Sequence, residues 1–367
     1  MQKIKYSSGS SSAFFKSLNQ VVQDKLINTR ELKKAQAMLW VKTVFYFLLH
    51  IYAYVFLYSQ SNPSDGRLAL CYFFVGISGI LLGFNVSHDA CHDALSKNKF
   101  TNTILYHLTF NMQGTSAWLW KIRHNSSHHV FPNVDGCDAD IDNNPFLRLS
   151  PQHPLKKYQQ YQHLYAIAVY CLYTLHWFLV KDILYLFKKR VANIKNNGYP
   201  ARQIIIFICW KLAYLAALLF IPIWLGFSPT GVLLAFLVMH VANSLIFIHV
   251  LIATHLCMET EFPITDNIGA LPFDYYTHQL ATSLDYAPLS KICNLFLGGF
   301  NAHAAHHLYP RLPHTLYPQI SKLIQEKANE FGVPYNQLSL LAAIRSHYKY
   351  LKKMGRSDHS TALSSFL

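Results

Sequence analysis

The sequence predicts an all-α membrane protein with four transmembrane helices, peripheral helices at the membrane interface, and a helical cytoplasmic cap that holds a dimetal site. Three observations predict this fold class: four long apolar stretches, three histidine clusters next to them, and a low content of charge. Hydrophobic residues make up 52% of the 367 residues and charged residues only 14%. Soluble domains contain roughly 25% charged residues.

The four apolar stretches are each long enough to cross a bilayer, which requires about 20 residues in a helix. The predicted spans are residues 38–58, 68–87, 203–225 and 231–256. Short turns of low charge join them into two hairpins. Gly76, Gly79 and Gly83 in the second span favour close packing between helices.

The distribution of Lys and Arg predicts the orientation of these spans. Basic residues concentrate in 1–42, 181–202 and 311–353, and such flanks remain on the cytoplasmic side. Both termini and the histidine clusters are therefore expected in the cytoplasm. The predicted organisation is a cytoplasmic N-terminal segment at 1–37, a membrane domain at 38–310 and a cytoplasmic helical cap at 311–367.

Within the C-terminal cap, two helices are expected. One covers about 317–331 and ends near Gly332, a residue type that commonly ends helices. Another begins near Asn336, which is a suitable helix cap.

The histidines are the strongest functional signal in the chain. They form three clusters, namely His88 and His92 in HDACH, His124, His128 and His129 in HNSSHH, and His303, His306 and His307 in HAAHH. On a helix, residues three or four apart share a face, so each cluster directs its rings to one side. Imidazole binds iron, zinc and copper, and eight rings exceed the needs of one tetrahedral zinc. The pattern predicts two metal ions.

A purely structural role for these histidines is less economical. Polar rings near a bilayer are costly to bury without partners, and shared metal ions would supply those partners. Asp89 and Asp93 flank the first cluster, and Asp138 lies in the acidic run after the second. These carboxylates, together with Asn301, are candidates to orient ligand rings through the second ring nitrogen.

Residues 163–187 are apolar enough to span a membrane, but they lie between the second and third clusters. With two further spans in between, an additional crossing would put the third cluster on the opposite side from the others. One metal centre could not then form. We therefore expect this segment at the interface, as a membrane-embedded or peripheral helix pair.

The formal net charge of +14 is compatible with several partners, but no nucleic-acid-binding motif accompanies the basic residues. The charge favours acidic lipids and acidic proteins instead. The seven cysteines include no CxxC motif, which indicates a reducing environment without a disulfide framework.

Three segments resemble the integral-membrane fatty acid desaturases, and most closely the bacterial linoleoyl-CoA desaturase-like proteins related to front-end acyl desaturases. The second cluster and its tail read HNSSHHVFPNVDGCDADID, the linker after it RLSPQHPLKKYQQYQHLYA, and the third cluster GGFNAHAAHHLYPRLPH. The resemblance covers roughly residues 30–350.

That resemblance implies a centre of two non-haem irons that uses dioxygen and two electrons to form a cis double bond in an acyl chain. It implies a ninth ligand, His255 in IATHLCMETEFP, with His249 as the competing choice. His303 stands where the subgroup commonly has Gln. Trp118 and Trp120 are expected either along the acyl tunnel or at the membrane interface.

The resemblance also implies partners. The acyl substrate is carried by CoA, a carrier protein or a glycerolipid. Because the chain has no HPGG-type haem motif, a separate donor such as ferredoxin or cytochrome b5 would supply electrons. We expect a bacterial inner membrane rather than the endoplasmic reticulum.

Two alternatives remain open at this point. A fatty acid or lipid hydroxylase, ketolase or epoxidase would share the histidine clusters and differ only in product. A metal transporter would instead need histidines along a path across the bilayer, whereas these clusters gather at the helix ends on one side.

Overall fold

The structure is a computed structural model that describes residues 4–7, 12–196 and 198–356. The described part of the chain is mostly helical, which confirms the predicted fold class. The helices are Ser12–Val22, Arg30–Tyr58, Asp65–Leu82, His88–Cys91, Lys99–Asn111, Ala117–Arg123, Gln162–Cys171, Tyr173–His176, Asp182–Phe187, Ala201–Leu215, Ile221–Trp224, Pro229–Leu251, Tyr275–Ala281, Lys291–Leu297, His303–Leu308, Tyr317–Phe331 and Leu340–Met354. Short π- or 3₁₀-helical turns extend several of them, at Gln23–Ile27, Gly83–Ser87, His124–His128, Lys157–Tyr161, Trp177–Lys181, Ala216–Phe220, Ile252–Thr254 and His314–Leu316.

Four of these helical segments are long and apolar enough to cross a membrane. We number them span 1 to span 4 in chain order, and they are Arg30–Tyr58, Asp65–Cys91, Ala201–Trp224 and Pro229–Thr254. Polar caps explain where three of them begin. The hydroxyls of Thr29, Ser64 and Ser228 accept hydrogen bonds from backbone N–H groups in the first turns of spans 1, 2 and 4, which otherwise lack partners.

The spans form one bundle with both hairpin turns at the same end. Asp65 at the start of span 2 lies against Gly231 at the start of span 4. The Tyr58 hydroxyl donates to the Ala217 carbonyl of span 3 at 2.8 Å, and Tyr72 donates to Leu218. His88 closes span 2 at the opposite end of the bundle, so that end carries the functional residues.

Residues 157–187 form a bent pair, Lys157–Cys171 and Tyr173–Phe187, whose axes differ by 64°. The bend is embedded among spans 3 and 4. The Thr174 backbone N–H donates to the Ser244 hydroxyl at 2.9 Å, and the Phe178 ring contacts the Tyr214 ring with centroids 5.0 Å apart.

The cap packs over the histidine end of the bundle. Helix Ser12–Val22 packs with helix Tyr317–Phe331 around buried Phe14, Leu18 and Ile320. The second of these helices ends as expected at Gly332, which adopts φ 64. Residues 357–367 of the predicted cap lie outside the described part of the chain.

The last helix begins later than the sequence suggested. Residues Asn336–Leu338 form a strand that pairs in parallel with Leu284–Tyr286. A second small pair, Arg190–Val191 with Ile194–Lys195, is antiparallel. Ser339 caps helix Leu340–Met354 instead of Asn336, because pairing with a distant strand outweighs the local capping preference.

Candidate metal centre

The three histidine clusters and His255 converge on one buried site. His88 lies in the last turn of span 2, and His92 follows directly after the end of that span. The second cluster starts in a π-helical turn, His124–His128, directly after helix Ala117–Arg123. The third cluster occupies helix His303–Leu308.

Four histidines form the first group. His88, His92, His124 and His306 each offer a ring nitrogen, and these nitrogens all lie within 4.8 Å of one another. All four side chains are buried. Each of the three sequence clusters contributes to this group.

Four other histidines, His128, His255, His303 and His307, form the second group with the same spacing. The Nε2 atom of His255 lies 2.7 Å from Nε2 of His303 and 3.1 Å from Nε2 of His307. His249 lies elsewhere, with Nδ1 2.7 Å from the Leu245 carbonyl and Nε2 3.1 Å from the Tyr348 hydroxyl. Of the two alternatives, the geometry brings His255 to the centre.

His129 lies between the two groups. Its Nε2 atom is 3.1 Å from Nε2 of His124 in the first group. Its ring centroid is 4.5 Å from that of His306, which is also in the first group, and 4.4 Å from that of His307 in the second group. Eight of the nine predicted rings therefore form two adjoining groups of four, and the ninth, His129, lies between them.

The chemistry of the rings fits metal ions. Among the described residues, the buried Nε2 atoms of His88, His92 and His306 have no hydrogen-bond partner. In the second group, Nε2 atoms face one another at 2.7–3.2 Å. Unpaired buried polar atoms are costly, and converging lone pairs repel. A cation at each position would satisfy these nitrogens at once.

Burial keeps most of these imidazoles in the neutral form that metals bind. For seven of the nine histidines, all outside the spans, desolvation holds the pKa well below its ordinary value. They are His92, His124, His129, His255, His303, His306 and His307. His128 differs. Burial alone would lower its pKa, but the nearby carboxylates of Asp138 and Asp140 raise the pKa above its usual value.

A second layer of hydrogen bonds orients the rings. The Asp138 carboxylate lies 3.1 Å from Nδ1 of His128; the sequence suggested Asp138 as a residue that orients a ligand ring. Nδ1 of His255 lies 2.8 Å from the Thr282 carbonyl, and Nδ1 of His307 lies 2.7 Å from Oε1 of Gln279. Each contact leaves Nε2 directed at the centre, as in metal sites generally.

The other predicted supporting residues have different partners. The Asp89 carboxylate binds His314, whose Nδ1 lies 2.9 Å away, and His314 in turn lies 2.5 Å from Lys42 Nζ. Asn301 donates to the Ala287 carbonyl at 3.1 Å. Within the described chain, the Asp93 carboxylate has no hydrogen bond to a clustered histidine, and its backbone takes a left-handed φ of 59 where the helix ends.

Comparisons with known proteins agree with this geometry. The family model for fatty acid desaturase matches residues 67–339. The sn-1 linoleoyl-lipid 6-desaturase of Synechocystis is 30% identical, covering 87% of this chain and 89% of that protein. The enzyme of the same name from Arthrospira platensis is 29% identical over 97% of this chain and 96% of its own. Acyl-lipid (8-3)-desaturase B of Dictyostelium discoideum is 28% identical over 94% and 76%.

This chain belongs to the fatty acid desaturase family. The resemblance seen in the sequence is thereby confirmed, and the protein is a membrane fatty acid desaturase, an oxidoreductase.

The desaturase positions its third cluster through a residue that sequence reasoning missed. Asp285 is fully buried, and its Oδ1 accepts a hydrogen bond from the Ala304 backbone N–H at 2.8 Å. Its Oδ2 accepts from Tyr335 at 2.7 Å. Burial raises the pKa of Asp285 to about 6. This carboxylate caps the helix of the third cluster. Its role depends on contacts with distant segments, so no local pattern indicates it.

An apolar cavity of about 100 Å³ runs from the first histidine group into the desaturase bundle. His88, Phe84, Phe300 and Trp120 line the end next to the centre. Trp120 also stacks on His124 with ring centroids 4.1 Å apart. Trp118 instead packs edge-on against Tyr199, outside the cavity lining.

The arrangement of the two groups predicts different metal contents for variants of His249, within span 4, and of His255, directly after it. His255→Ala should lose about half of the transition metal bound per purified protein, because the second group loses one of four ligands. His249→Ala should keep the full complement, since its ring faces Leu245 and Tyr348. Elemental mass spectrometry of the two variants measures this. Equal metal loss in both variants would contradict the assignment of His255.

Proposed function

We propose that the protein holds two non-haem irons and introduces a cis double bond into the acyl chain of a glycerolipid, on the carboxyl side of an existing double bond. The observation that carries this proposal is the pair of adjoining histidine groups at the mouth of an apolar cavity. Relatives named as linoleoyl-lipid 6-desaturases and acyl-lipid (8-3)-desaturases support the substrate class.

Removal of hydrogen from an unactivated methylene requires strong oxidation. Bound iron ions supply that dioxygen-dependent chemistry. Overall, two C–H bonds of adjacent methylenes are broken, and one C=C bond forms. Dioxygen is reduced to two water molecules, with two electrons from a donor protein and two protons from solvent.

The nine proposed ligands are His88, His92, His124, His128, His129, His255, His303, His306 and His307. His88, His92, His124 and His306 would hold one iron, and His128, His255, His303 and His307 the other. His129 lies between the groups, with its Nε2 atom 3.1 Å from that of His124. Asp138, Thr282 and Gln279 keep the rings in their orientation.

The residues at the cavity mouth would hold the reacting methylenes against the first group. Phe84, Trp120 and Phe300 offer apolar surfaces beside His88. They exclude water from the reacting carbons and favour an alkyl chain over a polar ligand. The acyl carbonyl would then lie toward the cap and the methyl end toward the hairpin turns.

The electron donor that we propose is an acidic protein such as ferredoxin or cytochrome b5. The net charge of +14 favours long-range attraction of such a partner. The site is covered by the cap rather than by the spans, so the donor would approach from that side.

We further propose that both termini and the metal centre face the cytoplasm of a bacterial inner membrane. Basic flanks support this orientation. The second histidine cluster precedes the bent pair along the chain, and the third cluster follows it. Because rings of the two clusters are in contact, we infer that the bent pair begins and ends on the same side of the membrane.

This topology predicts opposite labelling of two engineered cysteines. Ser61→Cys lies in the turn between spans 1 and 2, and Lys349→Cys lies on the last helix; both positions are exposed. In sealed vesicles whose cytoplasmic face points outward, a membrane-impermeant maleimide should react with the cysteine at position 349 and not with the cysteine at position 61. After permeabilisation it should react with both. The background should lack reactive native cysteines. Labelling of both from one side would exclude the topology.

Expression in a host without such desaturases tests the function itself. Cells fed linoleate should accumulate a fatty acid with one additional cis double bond nearer the carboxyl group, detected by gas chromatography of lipid extracts. His128→Ala should abolish this product and about half of the bound iron, because it removes one of the four ligands of the second group. A hydroxy or keto fatty acid in place of the alkene would instead indicate the related oxygenase reactions.

The cavity predicts that a side chain at Gly83 blocks the substrate. A Cβ at this position meets no atom within 4 Å, and Gly83 lines the cavity. Gly83→Leu should fill it about 8 Å from His88 along the helix, at 1.5 Å per residue. Product formation should fall at least about tenfold while metal content stays normal.

The matched control is Gly66→Leu, at an exposed position in the first turn of span 2 where a Cβ also meets nothing. It should retain full activity. Full activity in Gly83→Leu would show that the acyl chain takes another route.

A further inference from the structure

The cavity changes character along its length. Near the metal centre its lining is apolar, with Phe84, Leu251, Phe247 and Phe300. At its far end, five polar side chains meet inside the bundle. We call these residues the polar floor: Gln113, Thr174, Tyr214, His240 and Asn243.

Three residues of the floor form a hydrogen-bonded chain in which His240 lies between Thr174 and Tyr214. Nδ1 of His240 lies 2.9 Å from the Thr174 hydroxyl, and its Nε2 lies 3.2 Å from the Tyr214 hydroxyl. This chain links span 4, the bent pair and span 3. It closes the cavity on that side with groups that already have hydrogen-bond partners.

The two amides of the floor lie against glycines of span 2. A Cβ at Gly76 would lie 2.6 Å from Oδ1 of Asn243, and a Cβ at Gly79 would collide with Oε1 of Gln113. The sequence suggested that these glycines permit close helix packing. In the structure they make room for two amide side chains. The buried Oδ1 of Asn243 has no hydrogen-bond partner among the described residues.

The depth of the floor follows from helix geometry. Gly79 and Gly76 precede His88 by nine and twelve residues, and Asn243 precedes His255 by twelve. At about 1.5 Å per residue, the floor lies roughly 13–18 Å from the histidines. The residues of span 2 and of span 4 thus place the polar floor at the same depth below the histidines.

This depth matches an acyl chain of definite length. With C–C bonds of about 1.5 Å, an extended chain advances roughly 1.3 Å per carbon, so about 10 to 14 carbons span this distance. A cavity of about 100 Å³ is smaller than such a chain, so lining side chains must move aside when the chain binds. An 18-carbon chain that reacts at carbons 6 and 7 has eleven carbons beyond the reacting pair. Its methyl end would reach the floor.

We propose that the polar floor ends the acyl channel and sets the preferred chain length near 18 carbons. The proposal rests on the function proposed above. A longer chain would press apolar methylenes against Asn243 and Gln113 and would keep water from Oδ1 of Asn243, which has no hydrogen-bond partner among the described residues; this is unfavourable. The floor thus acts as a polarity barrier at the end of an apolar channel.

Removal of one amide tests the proposal. Asn243→Ala removes an amide at the far end of the cavity and deepens the cavity without introducing a clash. Gln113→Ala provides a second variant. Cells are fed Δ9-monounsaturated acids of 16, 18 and 20 carbons, and conversion is measured by gas chromatography. The ratio of 20-carbon to 18-carbon conversion should rise about tenfold in either variant, the discrimination that a few methylenes provide.

Leu237→Ala is the matched control, because Leu237 lies on the same helix as Asn243, is exposed on the outer surface and does not line the cavity. It should leave the ratio unchanged. An unchanged ratio in both floor variants, with normal protein and metal levels, overturns the proposal. So does an equal shift in the control.

A measurement without turnover separates this proposal from the proposed function. Purified full-length protein is heated with lysophosphatidylcholines of 16, 18 and 20 carbons, and the rise in melting temperature is compared. The wild type should show its largest rise with 18 carbons and Asn243→Ala with 20. If this length dependence appears without double-bond formation, the proposed function fails and the floor stands. If the wild type shows no length dependence, the floor is wrong even for an active enzyme.

Discussion

The whole structure depends on satisfying nine buried imidazoles at one end of a membrane bundle. In the second group, three Nε2 atoms face one another at 2.7–3.2 Å. Nδ1 of His255 and of His307 each face an oxygen acceptor, so only His303 can place an N–H among the three, and one N–H cannot satisfy both other nitrogens. A cation would satisfy all three at once, whereas burial opposes further protonation. The site is therefore suited to hold metal ions, and the remaining elements bring the rings together.

Each supporting element has a definite part in that assembly. Spans 2 and 4 place His88 and His255 at the same end of the bundle, because short hairpin turns begin both helices at the other end. Asp285 caps the third-cluster helix from a neighbouring strand. Asp138, Thr282 and Gln279 fix individual ring orientations. Such second-layer contacts give a metal site its precision.

The same bundle also provides the space for substrate. Glycines of span 2 leave a groove that the aromatic residues of neighbouring elements cover, which produces an apolar cavity ending at the first histidine group. Proximity of an apolar channel to a buried dimetal centre is the requirement for oxidation of an unactivated alkyl chain. The bent pair contributes Thr174 and Trp177 to the lining of this channel.

The sequence by itself determined the four spans, the histidine clusters and the family, because apolar length and repeated spacing are local properties. It also indicated that 163–187 cannot cross the membrane if the clusters share a side. Only the tertiary structure decided which rings group together, since each group draws on three distant segments. It likewise added Thr282 and Gln279 as hydrogen-bond partners of His255 and His307, and moved the last helix cap from Asn336 to Ser339. Those outcomes depend on long-range contacts, which leave no periodic signal in the chain.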